Sequence, residues 1–181
     1  MSRIVQVSVF IVIFTVSIVF MASFIEGRGR EKQIGKIILV AGCIGAIIYK
    51  TLLFRHVSSE VRYNLMPFWS YKAAFAGNTG LAEEIILNIL LYVPLGFVLR
   101  SFSPKNKLWQ CVLISFLISL STEIMQLVLR LGLYEIDDII NNTLGGMLGA
   151  ILYREMSIRS VSLLNFAKKT QVIFKKTKKT T

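Results

Sequence analysis

Histidine occurs once, at His56, and cysteine twice, at Cys43 and Cys111, in a chain of 181 residues. A single histidine argues against a zinc site. Each cysteine lies inside an apolar run, which reads as a small hydrophobic side chain rather than half of a disulfide. Acidic residues are also scarce: 10 Asp and Glu stand against 21 Lys and Arg, a net charge of +11. That excess does not mark a nucleic-acid binder, because the basic residues sit in short loops and a tail between greasy segments. What the sequence has in abundance is apolar length. Hydrophobic residues make up 54% of the chain and mean hydropathy is +0.64, which excludes an ordinary soluble domain.

The pattern predicts an all-α polytopic membrane bundle of about five spans. Ile4–Phe24 is the first, too long for a cleaved signal and followed by no small-residue cleavage site. A charged loop, Glu26–Lys36, leads to the second span, Ile37–Phe54, with Lys50 near its end. Arg55–Glu84 reads as the longest loop. It holds Pro67 among Phe68, Trp69, Tyr71 and Phe75, aromatic residues suited to a membrane interface. Ile85–Phe102, Trp109–Leu129 and Ile136–Tyr153 follow as spans three to five. Residues 1–153 thus form a transmembrane domain and 154–181 a basic tail. With the tail inside, 15 of the 21 Lys and Arg fall in inside segments and 5 outside, which orients the chain N-out and C-in.

That topology gathers the polar residues. Glu123 lies roughly 9 Å below the outer end of span four, while Asn142, Asn88 and Lys50 each lie about 6 Å below theirs. Spacing groups them too. Ser115, Ser119, Thr122 and Gln126 share one face of span four, with Glu123 beside it; Asp138, Asn142, Gly145 and Gly149 share a face of span five. Glu84, Asn88 and Tyr92 line one face of span three. A charge in mid-membrane costs about 3 kcal/mol or more, so Glu123 is expected to face the bundle interior or a wet cavity. Plainer roles stand beside this one. Asn141, Ser115 and Ser119 suit interhelical hydrogen bonding. Asp137 and Asp138 suit the acidic first turn of a helix, Lys50 suits a snorkelling lysine, and Gly145, Gly146 and Gly149 suit close helix packing.

Four ordered motifs carry a resemblance. They are Asn64-x-x-Pro67-Phe68; Asn88-Ile-Leu-Leu-Tyr-Val-Pro94-Leu-Gly96; Glu123-x-x-Gln126; and Asp138-x-x-x-Asn142-Thr143-x-Gly145-Gly146-x-x-Gly149. Over residues 64–152 the chain resembles the VanZ-like family of bacterial membrane proteins. Many members have an arginine where this chain has Gly132 and an aspartate where it has Glu135; Arg130 is the nearest substitute for that arginine. The resemblance implies a multi-pass protein of the bacterial cell envelope, in a family named for a protein linked to low-level teicoplanin resistance.

Three functions compete. In the first, an outward-facing polar pocket built from Asn88, Glu123, Gln126, Asp137, Asp138 and Asn142 binds a lipid-linked cell-wall precursor or a lipoglycopeptide. Lys50, Asn64, Pro67, Phe68, Glu84 and Arg130 stand around it. Membrane lipids are then the partners, with no cofactor and no metal, and the oligomeric state stays open. In the second, Glu123 with Asp137 and Asp138 supplies acid–base groups or oxygen ligands for an intramembrane enzyme. The sequence shows no nucleophile elbow, no His-rich cluster and no phosphate loop to support it. In the third, the intramembrane carboxylate and the Pro94 break serve a small transporter, though no internal repeat accompanies them.

Overall fold

The computed structural model describes residues 14–18, 29–53, 62–102 and 107–177, with side chains through Arg159 and at Ser162. Most of the first expected span, His56 and the lysines from Lys168 onward lie outside these descriptions.

Residues 14–18 are helical (α1). Helix α2, Arg30–Ile48, runs on into a π-helical turn, Tyr49–Leu53. A short strand β1, Arg62–Asn64, and a short helix α3, Trp69–Phe75, precede helix α4, Thr79–Phe102. Helix α5, Leu108–Val128, is followed by strand β2, Leu133–Glu135, and by helix α6, Ile136–Thr177. Three helical stretches are long and apolar enough to cross a membrane: Arg30–Leu52, Thr79–Phe102 and Leu108–Val128.

Several boundaries differ from the sequence reading. The expected loop Glu26–Lys36 is helical from Arg30, and Lys36 is buried in α2 with its ammonium donating to the Ser101 carbonyl at 2.6 Å. The basic side chain therefore satisfies a carbonyl of the last turn of α4, which has no partner within its own helix. The expected loop Arg55–Glu84 contains β1, α3 and the first turns of α4. The fifth stretch does not stop at Tyr153, because nothing after it breaks a helix: no proline or glycine follows, and α6 continues to Thr177. The all-α expectation also needs one amendment. β1 and β2 pair in parallel, with Arg62 opposite Leu133, Tyr63 opposite Tyr134 and Asn64 opposite Glu135.

Helix α5 shows why this chain suits lipid. The side chains it buries are Cys111, Ser115, Ser119, Thr122, Glu123 and Gln126, while Leu113, Ile114, Phe116, Leu117, Met125 and Val128 are exposed. A water-soluble helix would do the reverse. Against hydrocarbon this arrangement is favourable, since polar side chains find partners only inside the bundle.

Helices α4 and α6 approach most closely. A Cβ added at Gly145 would sit 2.1 Å from the Ile89 carbonyl oxygen, and one at Gly149 would sit 1.9 Å from that of Val93. One added at Gly96 would meet the Gly146 oxygen at 1.9 Å. Only hydrogen fits at these positions, so the glycines set the interaxial distance. Pro94 lies inside α4 without ending it. Its missing N–H frees the Leu90 carbonyl, and the Thr15 hydroxyl of α1 donates to that oxygen at 3.0 Å.

Candidate functional site

The polar side chains meet where α4, α5 and α6 join the π-helical turn. The turn shifts the helical register so that Lys50 points inward, and its ammonium donates to Asn88 Oδ1. The amide of Asn88 donates onward to Asp138 Oδ1 at 2.6 Å. Asn88 is 4% exposed, whereas Lys50 and Asp138 are half-buried. One hydrogen-bonded row therefore runs across α2's terminal turn, α4 and α6, from a cation to a carboxylate.

A second group lies beside it on α5. Glu123 is buried and its Oε2 accepts from the backbone N–H of Glu135 at 3.2 Å, which ties the helix to β2. Gln126 donates to the Thr51 carbonyl at 2.9 Å. That carbonyl belongs to the π-helical turn, where the ladder is irregular and backbone acceptors need outside donors. Asn142 donates to Ser119 Oγ at 2.9 Å. The Tyr92 hydroxyl and Thr122 Oγ1 are 3.5 Å apart. Gln126 Oε1, Asn142 Oδ1 and Ser115 Oγ are buried without a hydrogen-bond partner among the described residues. Leaving such an acceptor unsatisfied costs about 1–3 kcal/mol, so these atoms favour an incoming donor.

The adjacent acids Asp137 and Asp138 separate in role. Asp137 turns toward α3, whose first residue boundary, Phe68, has φ 61° and supplies no cap of its own. Asp137 caps that helix from α6: its carboxylate accepts from the Phe68 N–H at 2.5 Å, the Ser70 N–H at 2.9 Å and the Ser70 hydroxyl at 2.5 Å. One turn on, Asn141 accepts from the Tyr71 hydroxyl. Burial first, and the Asp137 charge second, push the Tyr71 hydroxyl above its ordinary pKa, so it stays protonated and donating. A carboxylate holding three donors is a clamp between α6 and α3.

Of the surrounding residues, Asn64 is half-buried and accepts from the Met66 N–H at 3.0 Å, closing an Asx turn beside Glu135 on the paired strand. Pro67 and Phe68 are exposed at the turn into α3. Glu84 and Arg130 are exposed and stay outside the cluster; Arg130 occupies a turn at φ 54°. Among the described residues, no three His, Cys, Asp or Glu side chains gather where one metal ion would reach them. Thr51, Ser70 and the Glu135 backbone were not singled out from sequence. The first and last act through main-chain atoms, which no side-chain pattern reveals. Ser70 had one signal: it stands just after Pro67-Phe68-Trp69, at the start of a short helix.

The model of the VanZ/LLP1 family matches residues 7–159, a range that contains every residue of this cluster. The chain belongs to the VanZ/LLP1 family. It is similar to Protein VanZ of Enterococcus faecium, with 31% identity over 117 residues, covering 59% of this chain and 69% of that protein. No solved structure matches it. The cluster is therefore carried within the region shared with the VanZ/LLP1 family.

Proposed function

We propose that this chain is a multi-pass protein of the bacterial cell membrane that lowers teicoplanin susceptibility by binding the polar part of a lipid-linked cell-wall precursor or a lipoglycopeptide. The polar centre opens outward, with the N-terminus outside and the basic tail, 154–181, inside. The observation that carries this reading is the surplus of buried acceptors at Gln126 and Asn142 beside the half-buried Lys50–Asn88–Asp138 row. Sugars and peptides offer hydroxyl and amide donors in quantity, and donors are what this centre has capacity for. Tyr63, Leu65, Met66, Phe68 and Phe75, all exposed, form an apolar lip suited to the headgroup region. Binding is favoured over catalysis because Asp137, one of the three acids available for proton transfer, is fully engaged by α3.

The experiment is expression of wild type and Asn88→Ala at matched membrane levels in a susceptible bacterial host. Removing Asn88 severs both hydrogen bonds of the row, each worth about 1.5–3 kcal/mol because its other partner is charged. Teicoplanin susceptibility is expected to return to that of the host alone. Protection that persists in the variant refutes the reading, as does wild type that never protects.

A further inference from the structure

Two hydrogen bonds set how α5 and α6 face each other. Asn142 donates to Ser119 Oγ at 2.9 Å, and nearer the connection between the helices the Glu135 N–H donates to Glu123 Oε2 at 3.2 Å. Residue numbers rise along one partner as they fall along the other, so the two run antiparallel. One turn from the Asn142–Ser119 bond, toward that connection, lie Glu123 on α5 and Asp138 on α6. Two carboxyl groups from facing helices therefore stand at one level, and both are close enough to act on the Tyr92 hydroxyl of α4. Glu135, 9% exposed, adds a third beside Glu123.

Less positive charge is gathered there. Lys50 reaches the level through Asn88. Arg62, Lys72 and Arg130, on the neighbouring strand, helix and turn, are exposed. Asp137 is set aside, its carboxylate held by amides of α3. Three carboxyl groups thus stand around one ammonium among the described residues. An interior of low dielectric neutralises a surplus anion with a proton or a cation.

Two amide oxygens favour the cation. Gln126 follows Glu123 by three residues and Asn142 follows Asp138 by four, so each stands one turn from a carboxyl group of its own helix. Gln126 is 0% exposed and Asn142 3%, and Gln126 Oε1 and Asn142 Oδ1 have no hydrogen-bond partner among the described residues. A proton neutralises one carboxyl and adds one O–H donor. An ammonium neutralises as much and brings three N–H donors, enough for a carboxylate and the two oxygens. Lys50 and Asp138 are half-buried, which leaves the level open to an incoming group.

We infer that the polar centre seats a primary ammonium group between Glu123 and Asp138. One premise, that the centre receives a ligand, is taken from the binding reading above.

The test follows thermal unfolding of the full chain at pH 7 in polyoxyethylene ether micelles, with one additive at a time at equal concentration. Dodecylamine, a primary ammonium at this pH, is expected to raise the Tm by about 5 °C. Dodecyltrimethylammonium has the charge without N–H donors, and dodecyl maltoside has hydroxyl donors without the charge. Each should give less than half that shift. Asp138→Asn and Glu123→Gln should each abolish it, and if one fails to fold the other decides. Glu84→Gln, at an exposed acid outside the cluster, should keep it. A shift that persists in the carboxamide variants overturns the inference, and so does an equal shift from dodecyltrimethylammonium. Sodium chloride that stabilises as well as the amine overturns it in favour of a bare cation. Ethylamine separates the sources. A shift with dodecylamine alone assigns the amine of a membrane amphiphile, and a shift with ethylamine too assigns one arriving from water; both uphold the ammonium. Equal stabilisation by dodecyl maltoside removes the ammonium and keeps the binding reading. A dodecylamine shift in a protein whose Asn88→Ala variant leaves susceptibility unaltered upholds the ammonium and removes the link to teicoplanin.

Discussion

Helices α4 and α6 meet twice, on adjacent turns, and the two meetings are built on opposite rules. At Gly96, Gly145 and Gly149 backbone touches backbone and a single methyl group would collide with a carbonyl oxygen. One turn away the Asn88 amide of α4 reaches Asp138 of α6 through long polar side chains, while Asn142 beside it gives its amide to Ser119 of α5 and keeps an oxygen with no partner among the described residues. The seam fixes distance and the polar centre fixes chemistry. The first lets the second be loose: because the glycines hold the axes, the polar residues need not spend all their hydrogen bonds on holding the helices together.

Four substitutions separate these roles, and they differ in size. Gly149→Ala should destabilise the protein most, by about 3 kcal/mol, since its methyl group would meet main-chain atoms that cannot rotate away. Thermal unfolding in detergent would register it, and Gly42→Ala, with open space around it, is the matching change that should cost nothing. An equal loss from both would dissolve the distinction between seam and surface. Asp137→Ala comes next, at about 1–3 kcal/mol, because the N–H groups of Phe68 and Ser70 lose their acceptor. Hydrogen exchange should accelerate in residues 69–75 and stay slow through α4; uniform acceleration would make Asp137 a part of the seam. Smallest are Glu84→Gln and Arg130→Gln, both exposed and expected within about 0.5 kcal/mol of wild type, with teicoplanin susceptibility unchanged. A functional loss at either would extend the polar centre to the surface.

The periodic features were legible. The spacing of Ser115, Ser119, Thr122 and Gln126 placed them on one face, and the structure buries that face. The glycine spacing on α6 likewise matches its contact with α4. What the sequence concealed were meetings between main chain and side chain. Asp137 and Asp138 are identical neighbours in a row of letters, yet 100° of helical rotation sends one to α3 and the other to Asn88. The strands Arg62–Asn64 and Leu133–Glu135 are each three residues long, too short to carry a pattern of two. Lys36 read as a loop charge because its partner, the Ser101 carbonyl, is 65 residues away and belongs to the backbone. The extent of α6 was hidden differently: apolar length marks where lipid ends, whereas only a breaker marks where a helix ends.

That extent has a mechanical consequence. The 42 residues of α6 measure about 63 Å, roughly twice the hydrocarbon thickness of a bilayer. Asp138, Asn142 and the glycines lie in the first third of that length, and the hydrogen-bonded backbone runs on from them to Thr177. A twist or tilt imposed on the far end of such a rod reaches the polar centre without passing through any joint.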